Sequence, residues 1–505
     1  MNAATGEAAD RSALKRASVR GVALTFGAQG VRVVLQFTAQ IVLAHYLLPA
    51  QFGLIAMVGP VLSLVQVFND LGLTQATIQR ASISQAELSA LFWINLGISV
   101  ALAALLAGAA PLVAWFYQQP GLVWLTIACG SMLVFSGASA QHIAWLNRGL
   151  RFGALATIDV ACALAAFIVG LLAAMAGWGV WSLIAMQAAN GLTILGLAWL
   201  LSGWRPAWPR RTAGVGDLLR FGGHLTGSNL LGFFQVNLPT ILIGRLNGAV
   251  ALGLYDRAYK VVIVPWWQIS LPVDRVAVSL LSRLLGADAL YRRAFLLMLQ
   301  GLLLLAGPGL LWAGTQSSVL VPLMLGPAWR AAAPIVGTLS LATVLVPFAA
   351  ASYWAFVSQG RARMQLHYGL VSGGALIASV LAGLHWGPLG VARAYAAFSP
   401  LIVGLPLWGA TRQGPVRLRD VGDAVLPVAA GLLATCGALL ALPARDTVHL
   451  LADLVLAYGA CIGCMACLPG GRTILAGLWM LRHELRGGAG SAVETGPNPV
   501  RDGAI

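Results

Sequence analysis

Long runs of apolar residues, each about as long as a bilayer is thick, alternate along the chain with short loops rich in glycine, proline and arginine. A membrane span takes about 20 apolar residues at roughly 1.5 Å rise each. On that measure fourteen spans are predicted, at roughly 20–44, 54–72, 89–114, 122–146, 154–175, 180–201, 222–244, 253–280, 293–314, 333–357, 366–384, 390–410, 423–442 and 449–468. The loops are short, so the pattern predicts one all-α integral membrane bundle with both termini on the same side. Two of the runs carry polar residues at helical spacing. In the first, Gln29, Arg32, Gln36 and Gln40 fall within an arc of about 80°. In the eighth, Leu252–Arg275 reads LGLYDRAYKVVIVPWWQISLPVDR and holds five charges. Asp256, Lys260, Trp267 and Asp274 share one stripe; Arg257, Gln268 and Arg275 share its neighbour, with Pro265 and Pro272 loosening the register.

A charge at bilayer depth costs at least a few kcal/mol, so such residues face a protein interior or a wet cavity unless they snorkel to an interface. Arg32 lies near the middle of its span and Lys260 about 10 Å into its own, at 1.5 Å per residue. Both are too deep for easy snorkelling. In the second span Ser63, Gln66 and Asp70 share a face, with Asp70 near the end. In the seventh, His224, Ser228 and Gln235 share one, with Asn229 and Asn237 elsewhere; His224 suits an interface position better than a proton site. Arg393 and Asp453 lie near span ends, where snorkelling accounts for both.

Composition narrows the class. Of 505 residues, 59% are hydrophobic and only 9% charged, with a mean hydropathy of +0.82, where a soluble protein has about 25% charged. The net charge of +15 is scattered between apolar runs, which argues against a nucleic-acid patch. Arginines gather in every second loop, among them Arg148, Arg151, Arg205, Arg283, Arg292, Arg293, Arg361 and Arg412, while the other loops hold only Arg245, Arg330 and Arg445. The positive-inside rule therefore places both termini in the cytoplasm. The six cysteines all lie in apolar segments, and Cys461, Cys464 and Cys467 read as packing residues despite their CxxCxxC spacing. There is no GxxxxGK[ST], no HExxH and no Cys/His metal cluster. No catalytic residue, cofactor or metal is expected. The basic stretch 471–486 reads as an amphipathic segment on the inner leaflet.

From Phe52 onward, FGLIAMVGPVLSLVQVFNDLGLTQATIQR, then LSALFWINLG, LNRGLRF (146–152), GWGVWSL (177–183) and LGLYDRAYK, the chain resembles the polysaccharide transporter family. These are O-antigen and exopolysaccharide flippase-like members of the multidrug/oligosaccharidyl-lipid/polysaccharide flippase superfamily. The resemblance covers about residues 15–410. It departs at Asp256, where the family has a small polar residue before the Arg. An internal repeat accompanies it: Leu24-Thr-Phe-Gly27 matches Leu219-Arg-Phe-Gly222, and Phe52-Gly-Leu-Ile matches Leu252-Gly-Leu-Tyr. Each half holds six spans and begins on the same side, which makes a parallel pseudo-repeat with the substrate site between halves. The expected organisation is an N-terminal segment (1–19), a first lobe (20–201), a linker (202–221), a second lobe (222–410), two further spans (411–468) and a basic tail (469–505).

The resemblance implies a flippase of the bacterial inner membrane. It would carry undecaprenyl-diphosphate-linked oligosaccharide units across for lipopolysaccharide or exopolysaccharide synthesis by alternating access, and is not an enzyme. Its partners would be that substrate and membrane lipids, with a polysaccharide polymerase and chain-length machinery as neighbours. The headgroup and cavity residues expected are Arg32, Lys260, Arg257, Arg275, Gln29, Gln36, Gln40, Gln66, Asn229 and Gln235, with Asp256 and Asp274 as charge partners. Two alternatives stay open: a membrane-embedded polymerase or ligase, and a cation-coupled multidrug-type antiporter using Asp70 or Asp159.

Overall fold

In a computed structural model, residues 27–69, 77, 83–208, 215–442 and 447–477 are described, with only the backbone at 67–69, 215–232, 234, 235 and 447. Among these residues every regular element is a helix. They are α1 (27–46), α2 (Pro49–Asn69), α3 (Gln85–Tyr117), α4 (Leu122–Arg148), α5 (Phe152–Met175), α6 (Val180–Ser202) and α7 (Val215–Arg283). There follow α8 (Asp288–Thr315), α9 (Ser317–Leu325), a 3-10 turn (Pro327–Ala332), α10 (Ala333–Thr343), α11 (Val346–Ser358), α12 (Ala362–Gly383), α13 (Gly387–Arg412), α14 (Leu418–Ala441), α15 (Thr447–Cys467) and α16 (469–477).

Local chemistry sets the boundaries. Ser84 caps α3: its hydroxyl accepts the Glu87 N–H at 3.2 Å while the Glu87 carboxylate accepts the Ser84 N–H at 2.8 Å, a reciprocal capping box. The 69 residues of α7 would run about 100 Å unbroken, over three times the hydrocarbon thickness. Gly248, at φ 82 and ψ −179, breaks it into two arms with a backbone that a side chain would forbid. Likewise a 3-10 turn at Leu384–Trp386 and Gly387 at φ 68 separate α12 from α13. Eleven helical stretches among the described residues are long and apolar enough to cross a membrane. Two of them, Val236–Arg283 and Ala362–Arg412, contain these breaks. α1 coincides with the described part of the first predicted span.

The chain divides into two compact units. The first comprises Met1–Ala258, Val321–Ile335 and Ile377–Ala394. Its α6 ends at Gly203 (φ 67), after which residues 203–208 are clamped against α3. Trp204 donates to the Gln85 side chain at 2.7 Å, Trp93 donates to the Ala207 carbonyl at 2.9 Å, and Trp93 stacks on Trp208 with centroids 5.6 Å apart.

The second unit comprises Tyr259–Leu320, Val336–Leu376 and Tyr395–Ile505. Its core centres on Tyr291, Phe295, Leu299 and Trp354, all fully buried. The C-terminal pair α14 and α15 docks on α8 through side chains that satisfy backbone carbonyls: Gln300 to Ala424 at 2.7 Å and Trp312 to Leu450 at 2.9 Å. Such bonds between helices replace water that the bilayer lacks. This docking corrects the snorkelling expectation for Asp453, which is only 6% exposed. It lies on the face that also presents Leu450, Ala457 and Cys461 to the interior, one side of a helix at three- and four-residue spacing.

Candidate functional site

The charged stretch of α7 and the polar stripe of α1 meet within the first unit, where two helices touch backbone to backbone. A Cβ on Gly53 of α2 would overlap the Ala249 carbonyl, and one on Gly253 of α7 would overlap the Pro49 carbonyl. Each Cβ would also stand 3.0 Å from the other glycine's nitrogen. Pro49 precedes Gly53 by one helical turn, as Ala249 precedes Gly253. The contact is thus reciprocal, as a pseudo-twofold relation between α2 and the second arm of α7 requires. Small residues at a helix crossing allow this approach and the dispersion contacts that hold helices together in lipid.

One turn beyond Gly253, Arg257 is sealed into the crossing and only 7% exposed. Its Nη1 donates to the Gln40 side-chain oxygen on α1. Its Nη2 lies 3.4 Å from the Asp256 carboxylate, and its guanidinium carbon stands 4.0 Å from the Phe52 ring centroid. A buried cation needs this combination of carboxylate, hydrogen-bond acceptor and aromatic face to offset lost hydration. Trp329, in the 3-10 turn, closes the same end. Its indole N–H donates to the Ala44 carbonyl at 2.8 Å, and its ring meets Phe52 edge-on at 5.4 Å. A buried carbonyl at the end of α1 is thereby satisfied.

Arg32, two turns back along α1, pairs with Asp159 of α5 at 3.0 Å. Both side chains are partly exposed, at 38% and 41%, so the pair borders open space rather than filling a core. Gln29 and Gln36 on the same stripe are exposed, as is Gln66 on α2; Gln40 is half-buried.

In the second unit Lys260 and Arg275 are exposed. Asp274 is half-buried and accepts the Trp354 indole N–H at 2.6 Å. The side chains of Asn229, Gln235 and His224, and all of Asp70, lie outside the described residues. Among the described residues no three His, Cys, Asp or Glu side chains gather into a metal-binding group.

The structure therefore brings Arg257, Asp256 and Gln40 together, adds Phe52 and Trp329 to them, and gives Arg32 a partner in Asp159. The pairing of Arg32 with Asp159, which the sequence offers only as an antiporter carboxylate, spans 127 positions and leaves no local trace. Trp329 fell in a stretch read as an external loop. Gly53 and Gly253, by contrast, were visible as matching positions of the internal repeat.

The sequence profile of the family described as "Polysaccharide biosynthesis protein" matches residues 42–334. The chain is 30% identical over 348 residues to the teichuronic acid biosynthesis protein TuaB of Bacillus subtilis, covering 66% of this chain and 70% of that one. It is 25% identical to the lipopolysaccharide biosynthesis protein WzxC of Escherichia coli, over 66% and 68% of the two chains. Among solved structures, the lipid II flippase MurJ in an inward closed conformation shares the fold. The TM-score is 0.70 over 86% of this chain and 97% of that chain, at 13% identity.

Proposed function

The chain belongs to the polysaccharide biosynthesis protein family, and on that premise we propose that it is a flippase for lipid-linked oligosaccharides. It moves undecaprenyl-diphosphate-linked repeat units from the cytoplasmic to the periplasmic leaflet of a bacterial inner membrane, with both of its own termini in the cytoplasm. It does so by alternating access and without a covalent step. The observation that carries this reading is a multi-pass fold in which arginines and amides lie on helices long and apolar enough to cross a membrane, where a charge facing hydrocarbon is costly.

Each group has a task in this account. Arg32 and Lys260 are the first contacts for the anionic diphosphate, with Arg275 a second one nearer the cytoplasm, since guanidinium and ammonium groups bind phosphate through charge-assisted hydrogen bonds. Gln29, Gln36 and Gln66, which are exposed, and Asn229 and Gln235 hydrogen-bond the sugars. Gln40, Arg257 and the Gly53–Gly253 crossing form the outer closure. By the arginine count of the loops this crossing sits at the periplasmic end. Release of the sugars outward requires the crossing to part, which frees Arg257 to follow the diphosphate.

Deletion of the gene tests the reading. Complete lipid-linked repeat units should accumulate on the inner leaflet. Units already on the outer leaflet but unpolymerised would instead assign an enzymatic role.

A further inference from the structure

The second unit carries another cationic surface, separate from the Gly53–Gly253 crossing. On α7, Arg275, Ser279 and Arg283 recur at four-residue spacing and line, with Val276 and Leu280, an open concavity of about 360 Å³. Leu280 also borders a larger hollow of about 630 Å³, walled by Arg293 of α8, Ala424 of α14 and Thr473 of α16. The two hollows thus form one surface. Arg275, Arg283 and Arg293 are all exposed, and among the described residues none is ion-paired. Their neighbour Arg292 shows the contrast: its Nε lies 3.2 Å from the Asp420 carboxylate and donates to the Pro415 carbonyl at 2.9 Å. Between the guanidinium groups the floor is hydrocarbon, with Leu280 and Leu290 exposed to it.

We propose that this surface is a binding site for an anionic phospholipid of the cytoplasmic leaflet. Unpaired arginines over an apolar floor match a molecule that carries phosphate and acyl chains together, and basic hollows between helices on the cytoplasmic side hold such headgroups. Arg275 and Arg283 are separated by about 12 Å along the helix, too far for one phosphate but suited to a headgroup lying along the helix with its acyl chains in the hollows. The site engages α7, α8, α14 and α16 at once, so a bound lipid fastens the C-terminal helices to the charged helix of the transport pathway. Arg275 is also assigned to the substrate headgroup above; Arg283 and Arg293 are not, so they carry the test.

The test uses the purified full-length protein in phosphatidylcholine nanodiscs with and without phosphatidylglycerol, reading bound anionic lipid by mass spectrometry. The wild type should retain phosphatidylglycerol in preference to phosphatidylcholine. The double variant R283Q/R293Q should lose roughly thirtyfold in that preference, from about fivefold per arginine. R283K/R293K should keep most of it, and R412Q, at another basic helix end, should be unchanged. The proposal is overturned if the wild type shows no preference, if R283Q/R293Q binds like the wild type, or if R412Q loses as much. Displacement of the phospholipid by a polyprenyl-diphosphate sugar, mole for mole, would equally overturn it and mark the surface as a substrate site. No transport is measured, so the outcome is independent of the flippase reading.

Discussion

Gln40 and Phe52 decide what Arg257 is free to do. With Gln40 in place the buried guanidinium has an acceptor on α1 as well as its neighbour Asp256. Gln40→Leu removes that acceptor without opening a large void, and leaving a buried donor unsatisfied costs about 1–3 kcal/mol. The thermal unfolding midpoint of the purified protein should fall accordingly, and a midpoint equal to wild type would contradict the arrangement. Arg32 poses a different question, since its pair with Asp159 is half exposed. If Arg32 serves substrate, Arg32→Gln should lower export at least about tenfold, the equivalent of some 1.4 kcal/mol. Asp159→Asn, which keeps the cation, should stay within a few-fold. Equal losses in the two variants, with normal membrane levels, would make the pair structural.

At the scale of the helix, the crossing of α2 with the second arm of α7 depends on having no side chain at either contact point. Gly53→Ala or Gly253→Ala drives a methyl into a backbone carbonyl that cannot rotate away, so the helices must separate. Gly59, on the same helix as Gly53, has nothing within 4 Å of its Cβ position. Export should therefore fall sharply in both crossing variants and persist in Gly59→Ala; a silent Gly253→Ala would remove the closure from the account. The helices themselves are legible beforehand because a bilayer imposes their length, and the arginine alternation favours an even number of them. What was not legible is which face each helix turns inward. Asp453 near a span end looked free to snorkel, yet α15 packs it toward α8 and α14. The stretch after α8 looked like a loop because α9 is only nine residues long, too short for periodicity to speak. Trp329 within it closes α1 through a bond spanning 285 positions, and nothing local announces such a partner.

For the whole molecule, family membership and fold point the same way as the residues: an all-helical multi-pass chain whose long apolar helices carry arginines and amides, with a backbone-to-backbone crossing inside its first unit. The central claim is that this chain alone suffices to move a lipid-linked oligosaccharide between leaflets. Purified protein in sealed vesicles, loaded with a labelled polyprenyl-diphosphate oligosaccharide in both leaflets, measures this directly through an impermeant enzyme that modifies only outward sugars. Protein-free vesicles should stop at about half modification, the share already facing outward, while vesicles with the wild-type chain should proceed toward completion and those with Arg32→Gln should pass the half-way level at least about tenfold more slowly. Modification by the wild type that halts at the protein-free level would contradict the account.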